Sequence, residues 1–163
     1  MHTESGVKLR NTYLVECHDK DGNLKWKEEI NNTTVTVGLN DLLTQYFKGV
    51  TYSAGWNVGL KSTGSVVAGD TMTSHSNWTE VTAYTGTRPV LTLGTAAAGS
   101  IDNSASKAVF TMNNTYTVYG AFVCVGASGT AGILYGGADF TTPRSGASGD
   151  TLTVTITLTA ASA

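Results

Sequence analysis

Residues 101–125 read IDNSASKAVFTMNNTYTVYGAFVCV, and this stretch decides the fold class. Ser106, Ala108, Phe110 and Met112 alternate with Lys107, Val109 and Thr111, the period of a half-buried strand. Asn113 and Asn114 follow, the residue type that best tolerates positive φ after glycine. The chain then runs through Tyr116, Val118, Gly120, Phe122 and Cys124, again alternating. The pattern predicts a β-hairpin closed by the Asn pair. Its side chains are small, apolar or hydroxylic, suited to packing and not to bond chemistry.

Outward from this stretch the same period recurs. In Thr151–Thr159, TLTVTITLT, Leu152, Val154, Ile156 and Leu158 share one face and a row of threonines the other. Near the start, residues 8–18 put Tyr13, Val15 and Cys17 on one face. The turn Asp21-Gly22 leads back through Leu24, Trp26, Glu28 and Ile30. Further strands are expected at Gly55–Leu60, Thr79–Tyr84, Arg88–Leu93 and Ala131–Phe140, with a long Gly/Ser/Thr loop over Lys61–Asn77. One helix is expected over residues 36–48. Leu39, Leu42, Leu43, Tyr46 and Phe47 form a single apolar stripe, and Gly49 is a natural stop. The stripe is expected to plug one end of the core, so that Leu43→Asp or Phe47→Asp prevents folding. The sum is an all-β chain: a jelly-roll-like two-sheet sandwich, or a flattened barrel, with one short amphipathic helix. Residues 1–7 read as a flexible N-terminal arm and 8–163 as a single β-sandwich domain.

The composition agrees. The 163 residues suffice for one real core, and 40% are hydrophobic. Only 13% are charged, about half the usual share. Residues 1–50 hold 6 of the 10 Lys+Arg and 7 of the 12 Asp+Glu, so the other 113 residues are nearly bare of charge. Such a surface is either a wettable coat of Thr and Ser or one largely covered by partners, and a homo-oligomer or a larger lattice is expected rather than a lone monomer. A net charge of −2 gives no basic face for nucleic acid. No apolar run is long enough for a transmembrane helix, so no membrane partner is expected. MHTESGVKLR lacks the apolar core of a signal peptide. Cys17 and Cys124 are therefore expected to be reduced, unbridged thiols made in a cytoplasm.

Reactive constellations are sparse. His2, His18 and His75 show no metal-ligand spacing, and adjacent Cys17 and His18 point to opposite faces of a strand. Asp70, Ser74 and His75 cluster in the long loop, but without a nucleophile elbow they read as solvated loop residues. Glu28 and Glu29 lie on opposite strand faces, and Asp139 and Asp150 read as strand-end residues, not a glycosidase pair. Gly136-Gly137 opens no helix and makes no phosphate cradle. Trp26, Trp56 and Trp78 suit either sugar stacking or packing. No catalytic, cofactor-binding or metal residue is assigned, no cofactor is implied, and no enzyme is expected.

The wording of the chain resembles a family of small virion proteins of tailed bacteriophages, the capsid decoration or cement proteins. The resemblance rests on blocks in order: YLVECHDKDGNLKWKEEINN, VGLNDLLTQYFKG, GWNVGLKSTG, AGDTMTSHSNWTEVTAYTGTRPVLTLG, SIDNSASKAVFTMNNTYTVYGAFV and ILYGGADFTTPRSGASGDTLTVTITLTAA. Together they span nearly everything from about residue 10. The resemblance implies a jelly-roll-like head protein on the capsid surface of the virion. Its partners would be the major capsid protein and itself, as a dimer or trimer, and it would tie neighbouring capsomers together without catalysis. The alternatives are a tail or fibre-associated receptor-binding module and, third, a carbohydrate-binding module.

Overall fold

The structure is a computed structural model that describes residues 6–49 and 55–162. Among the described residues, nine strands and one α-helix follow in chain order: β1 (Val7–His18), β2 (Leu24–Thr34), α1 (Thr36–Lys48), β3 (Trp56–Lys61), β4 (Glu80–Val81), β5 (Ser100–Asp102), β6 (Ala108–Thr111), β7 (Tyr116–Val125), β8 (Leu134–Gly146) and β9 (Thr151–Ser162). A single 3₁₀ turn, Ser104–Ser106, precedes β6. The chain is all-β apart from α1, and its strands form one curled antiparallel sheet in the order β4-β3-β7-β8-β2-β1-β9-β5, with β6 also on β9.

The curl turns on β2. Its first part pairs with β1, from Thr12 opposite Asn31 to His18 opposite Leu24. Its last three residues, Asn32, Thr33 and Thr34, pair instead with Ala138, Gly137 and Gly136 of β8. Beyond Ala138 the two strands part, and the Glu28 carboxylate fills the gap. It accepts bonds from the Thr141 N–H (2.7 Å) and hydroxyl (2.9 Å), and pairs with Arg144 at 2.8 Å. Gly136 is needed where the strands touch, because a Cβ there would stand 2.4 Å from the Thr33 carbonyl oxygen. That close approach is what Gly136 serves.

The two halves of the curled sheet enclose the main core. Tyr13, Val15, Leu152, Val154 and Ile156 come from one half, and Val58, Leu60, Val118 and Ala121 from the other. β7 is buried on both sides, because residues 62–79 fold over its outer face. There Val66, Met72 and Trp78 pack with Phe122, Cys124 and Leu134 in a second cluster. Wrapping one strand in apolar contacts on both faces explains its near-continuous hydrophobic run.

Several expectations need correction. Residues 106–125 are not a hairpin: β6 pairs with β9, while β7 pairs with β3 and β8. Phe110 and Met112 enter the core from one half of the sheet and Tyr116 and Val118 from the other, so Asn113-Asn114 arches between halves. Neither Asn has positive φ; among the described non-glycine residues only Ala98 does. Arg88–Leu93 is not a strand but carries one bridge, Val90 to Asn57, and the strand at Thr79–Tyr84 shrinks to β4. β5 is a strand that the sequence reading did not assign. Of the expected arm, residues 1–5 lie outside the described residues, whereas Val7 already pairs with Ser162.

Candidate functional site

Polar side chains that sequence reading singled out are mostly tied to neighbouring strands. Asp150 is a buried hub whose Oδ2 accepts from Lys25 Nζ (2.8 Å), Tyr116 OH (3.0 Å) and the Ala147 N–H (3.1 Å). Burial pushes its carboxyl up, but these three donors together hold it below the ordinary value. Cys17 Sγ lies 3.3 Å from the same Tyr116 hydroxyl, and burial raises the thiol, leaving it poorly nucleophilic. Cys124 is a second free buried thiol, pushed up to about 11 by burial. His18 follows Cys17 on β1 but stays half-buried on the other face.

The loop trio is not joined. Asp70 Oδ2 is taken by the Trp78 indole N–H (3.0 Å) and the Val67 N–H (3.0 Å), while His75 Nδ1 sits 2.9 Å from the Thr71 carbonyl oxygen. No hydrogen bond links the Asp70, Ser74 and His75 side chains. His75 instead stacks on Trp78, with ring centroids 4.1 Å apart. Glu28 and Glu29 do lie on opposite faces, Glu28 half-buried and Glu29 exposed. His2 lies outside the described residues. Among the described residues no three His, Cys, Asp or Glu side chains converge as metal ligands, and no helix is long and apolar enough to cross a membrane.

Several buried polar residues escaped the sequence reading, Lys61, Arg88 and Asn103 among them. Lys61 is wholly buried, with Nζ 2.7 Å from Asp139 Oδ1 and further bonds to the carbonyls of Ser62 and Gly64. Burial lowers its pKa, and Asp139 opposes that. The pair meets across Gly120, which is partnered by Lys61 on one side and Asp139 on the other. Arg88 forks onto Glu80 at 2.7 and 2.6 Å and onto the carbonyls of Gly126 and Gly129, tying loops together. Asn103 acts as a ladder rung on β9, accepting from the Ile156 N–H (2.6 Å) and donating to the Val154 carbonyl (3.2 Å). Strand spacing alone announces none of them: the partners of Lys61 and Asn103 are far away in sequence, and Arg88 reaches Glu80, eight residues back, outside any strand repeat.

The largest departure from expectation is α1. The helix spans Thr36–Lys48 as predicted and ends on Gly49 in the left-handed conformation. Its apolar stripe, however, is not core. Gly38 seats the helix, because a Cβ there would lie 2.5 Å from the Tyr135 carbonyl oxygen. At 100° per residue this turns Gly38, Leu42 and Gln45 toward the sheet and swings Leu43 and Phe47 away from it. Tyr46 is 80% exposed, Phe47 75% and Leu43 51%. Leu43→Asp and Phe47→Asp are therefore no longer expected to prevent folding.

Beside the helix runs an apolar groove of 470 Å³. Leu42 and Tyr46 form one wall, and Trp56, Leu91, Leu93 and Leu158 face them. Its polar edge is Asp41 with Gln45, whose amide N–H donates to Asp41 Oδ1 at 3.2 Å while Gln45 Oε1 is buried without a partner. Of the tryptophans, Trp78 is buried, Trp26 packs edge-on against Phe140, and Trp56 lines the groove. The exposed apolar residues of α1 adjoin this groove, with Tyr46 belonging to both. No protein-family model matches the chain, and no curated protein matches it significantly.

Proposed function

We propose that this chain is a structural virion protein of a tailed phage that decorates the capsid exterior and cements it, bridging capsomers on the DNA-filled head. In fold terms, the curled sheet is read as the jelly-roll-like body of such a protein. The observation that carries the reading is the division of labour in the molecule. Ionic and polar side chains at Asp150, Lys61, Arg88, Glu28 and Asn103 are spent on joining strands and loops. The outward-facing feature is an apolar helix and groove. A body stapled internally and sticky externally fits association with protein surfaces, and apolar contact area is insensitive to salt screening.

Cementing adds buried area across seams between capsomers. Each copy contributes modestly, and many copies act together through avidity. The partners in this reading are the major capsid protein and other copies of the chain. The reading is tested by adding the purified protein to expanded capsids that lack it and measuring bound copies and heat resistance. Saturable binding at many sites with a raised disruption temperature supports it. Binding only to tails, as a receptor-binding module would show, or only to glycans, as a carbohydrate-binding module would, overturns it.

A further inference from the structure

We propose that α1 and the groove beside it form a two-fold interface with a second copy of this chain, each copy's helix ridge seated in the other's groove. The inference deepens the self-association part of the reading above and stands without its capsid part. The ridge is Leu39, Leu43, Tyr46 and Phe47, all exposed, and the groove is the adjoining cleft between Leu42 and the Leu91–Leu93–Leu158 wall.

Area argues for a partner of protein size. At about 200 Å² per aromatic side chain, Tyr46 and Phe47 alone expose roughly 300 Å². Leu39 and Leu43, at 37% and 51% exposure, bring the ridge to roughly 450 Å², well up the range of the largest apolar patches on monomers. A two-fold contact counts this ridge twice and adds both groove walls. It therefore comes close to the roughly 1,200 Å² at which standard interfaces begin.

Shape argues for a second copy. The molecule carries a convex ridge and a concave groove side by side on one face. A two-fold axis between two such faces puts each ridge into the opposite groove and closes the contact, leaving neither feature bare. Other occupants leave part of the surface uncovered. A lipophilic small molecule of a size suited to 470 Å³ fills the groove but does not reach Phe47 and Leu43, which lie outside its lining. The chain's own residues 50–54, VTYSA, offer only Val50 and Tyr52 as large apolar side chains, too few for both ridge and groove.

The test is sedimentation equilibrium of the full chain over a wide concentration range, with circular dichroism and thermal melts alongside. Wild type is expected to approach twice its 17.0 kDa mass. Phe47→Glu on the ridge and Leu93→Glu on the groove wall are each expected to be folded and monomeric. Mixed together, they are expected to recover a heterodimer, since one intact ridge then meets one intact groove. A wild type that stays monomeric throughout overturns the proposal, as does a Phe47→Glu variant that still dimerises. A Phe47→Glu melting point lowered equally at every concentration also overturns it, because the ring is then covered within its own chain. A monomer that carries a lipophilic mass in native mass spectrometry assigns the groove to a small molecule and overturns it too. Leu42→Glu, on the helix side of the groove and 37% exposed, takes the place of Leu93→Glu should that variant fail to fold.

Discussion

Replacing Asp150 with alanine strands a buried phenol. Asp150 Oδ2 receives Tyr116 OH at 3.0 Å, Lys25 Nζ at 2.8 Å and the Ala147 N–H at 3.1 Å. The three losses are unequal. The Lys25 side chain is 35% exposed and Ala147 is exposed, so both turn to water at little cost. Tyr116 is 5% exposed and keeps only the weak Cys17 sulfur 3.3 Å away. An unsatisfied buried donor costs about 1–3 kcal/mol. With loss of the bond that closes the 147–150 turn, the expected destabilisation is about 2–3 kcal/mol. For a chain of this length that corresponds to a melting point lower by roughly 5–10 °C. The assay is urea unfolding of wild type, Asp150→Ala, Tyr116→Phe and the double variant. Tyr116→Phe should cost less, about 1 kcal/mol, and should remove much of the penalty of Asp150→Ala when combined with it. The pH dependence has a definite sign. The folded carboxyl titrates below its ordinary 3.8, so its contribution is complete above that value and is lost as pH falls through the window below it. Asp150→Ala should therefore flatten the acid limb of the stability curve. A cost under about 0.5 kcal/mol, or strictly additive single effects, would refute the hub.

Three further outcomes follow from the same packing. Asp139→Ala leaves the wholly buried Lys61 ammonium without its counter-charge and should cost about 3–5 kcal/mol in denaturant melts, with Lys61→Met costing less. Gly38→Val drives a side chain into the Tyr135 backbone and should unseat α1, lowering stability by about 1–3 kcal/mol and reducing helical dichroism. Cys17 and Cys124, both buried and raised by their surroundings, should react with a thiol reagent only at the rate of unfolding; fast labelling in the native state would contradict their placement.

Period-two alternation located the long strands and period 3.6 the helix, because local side-chain direction is a property of the backbone itself. Pairing is not local, and there the reading failed. Asn113-Asn114 looked like a hairpin turn, yet Phe110 and Tyr116 belong to opposite walls of the core, so the chain crosses between them. The helix misled for a related reason. An apolar stripe shows that a helix has something to bury, not what it is buried against. Gly38, one residue without a Cβ, decides which way the stripe points. The polar joints at Lys61–Asp139, Asp150–Tyr116 and Asn103–Ile156 link residues dozens of positions apart, and no spacing rule reaches that far.

The capsid-binding role proposed for this chain is tested by a cryo-EM map of the virion carrying it, paired with heat disruption of particles with and without it. Many symmetric copies of the curled β body are expected on the outside of the head, over seams between capsomers, with heads that break at a lower temperature in its absence. Density confined to the tail, or heads equally robust without the protein, would contradict it.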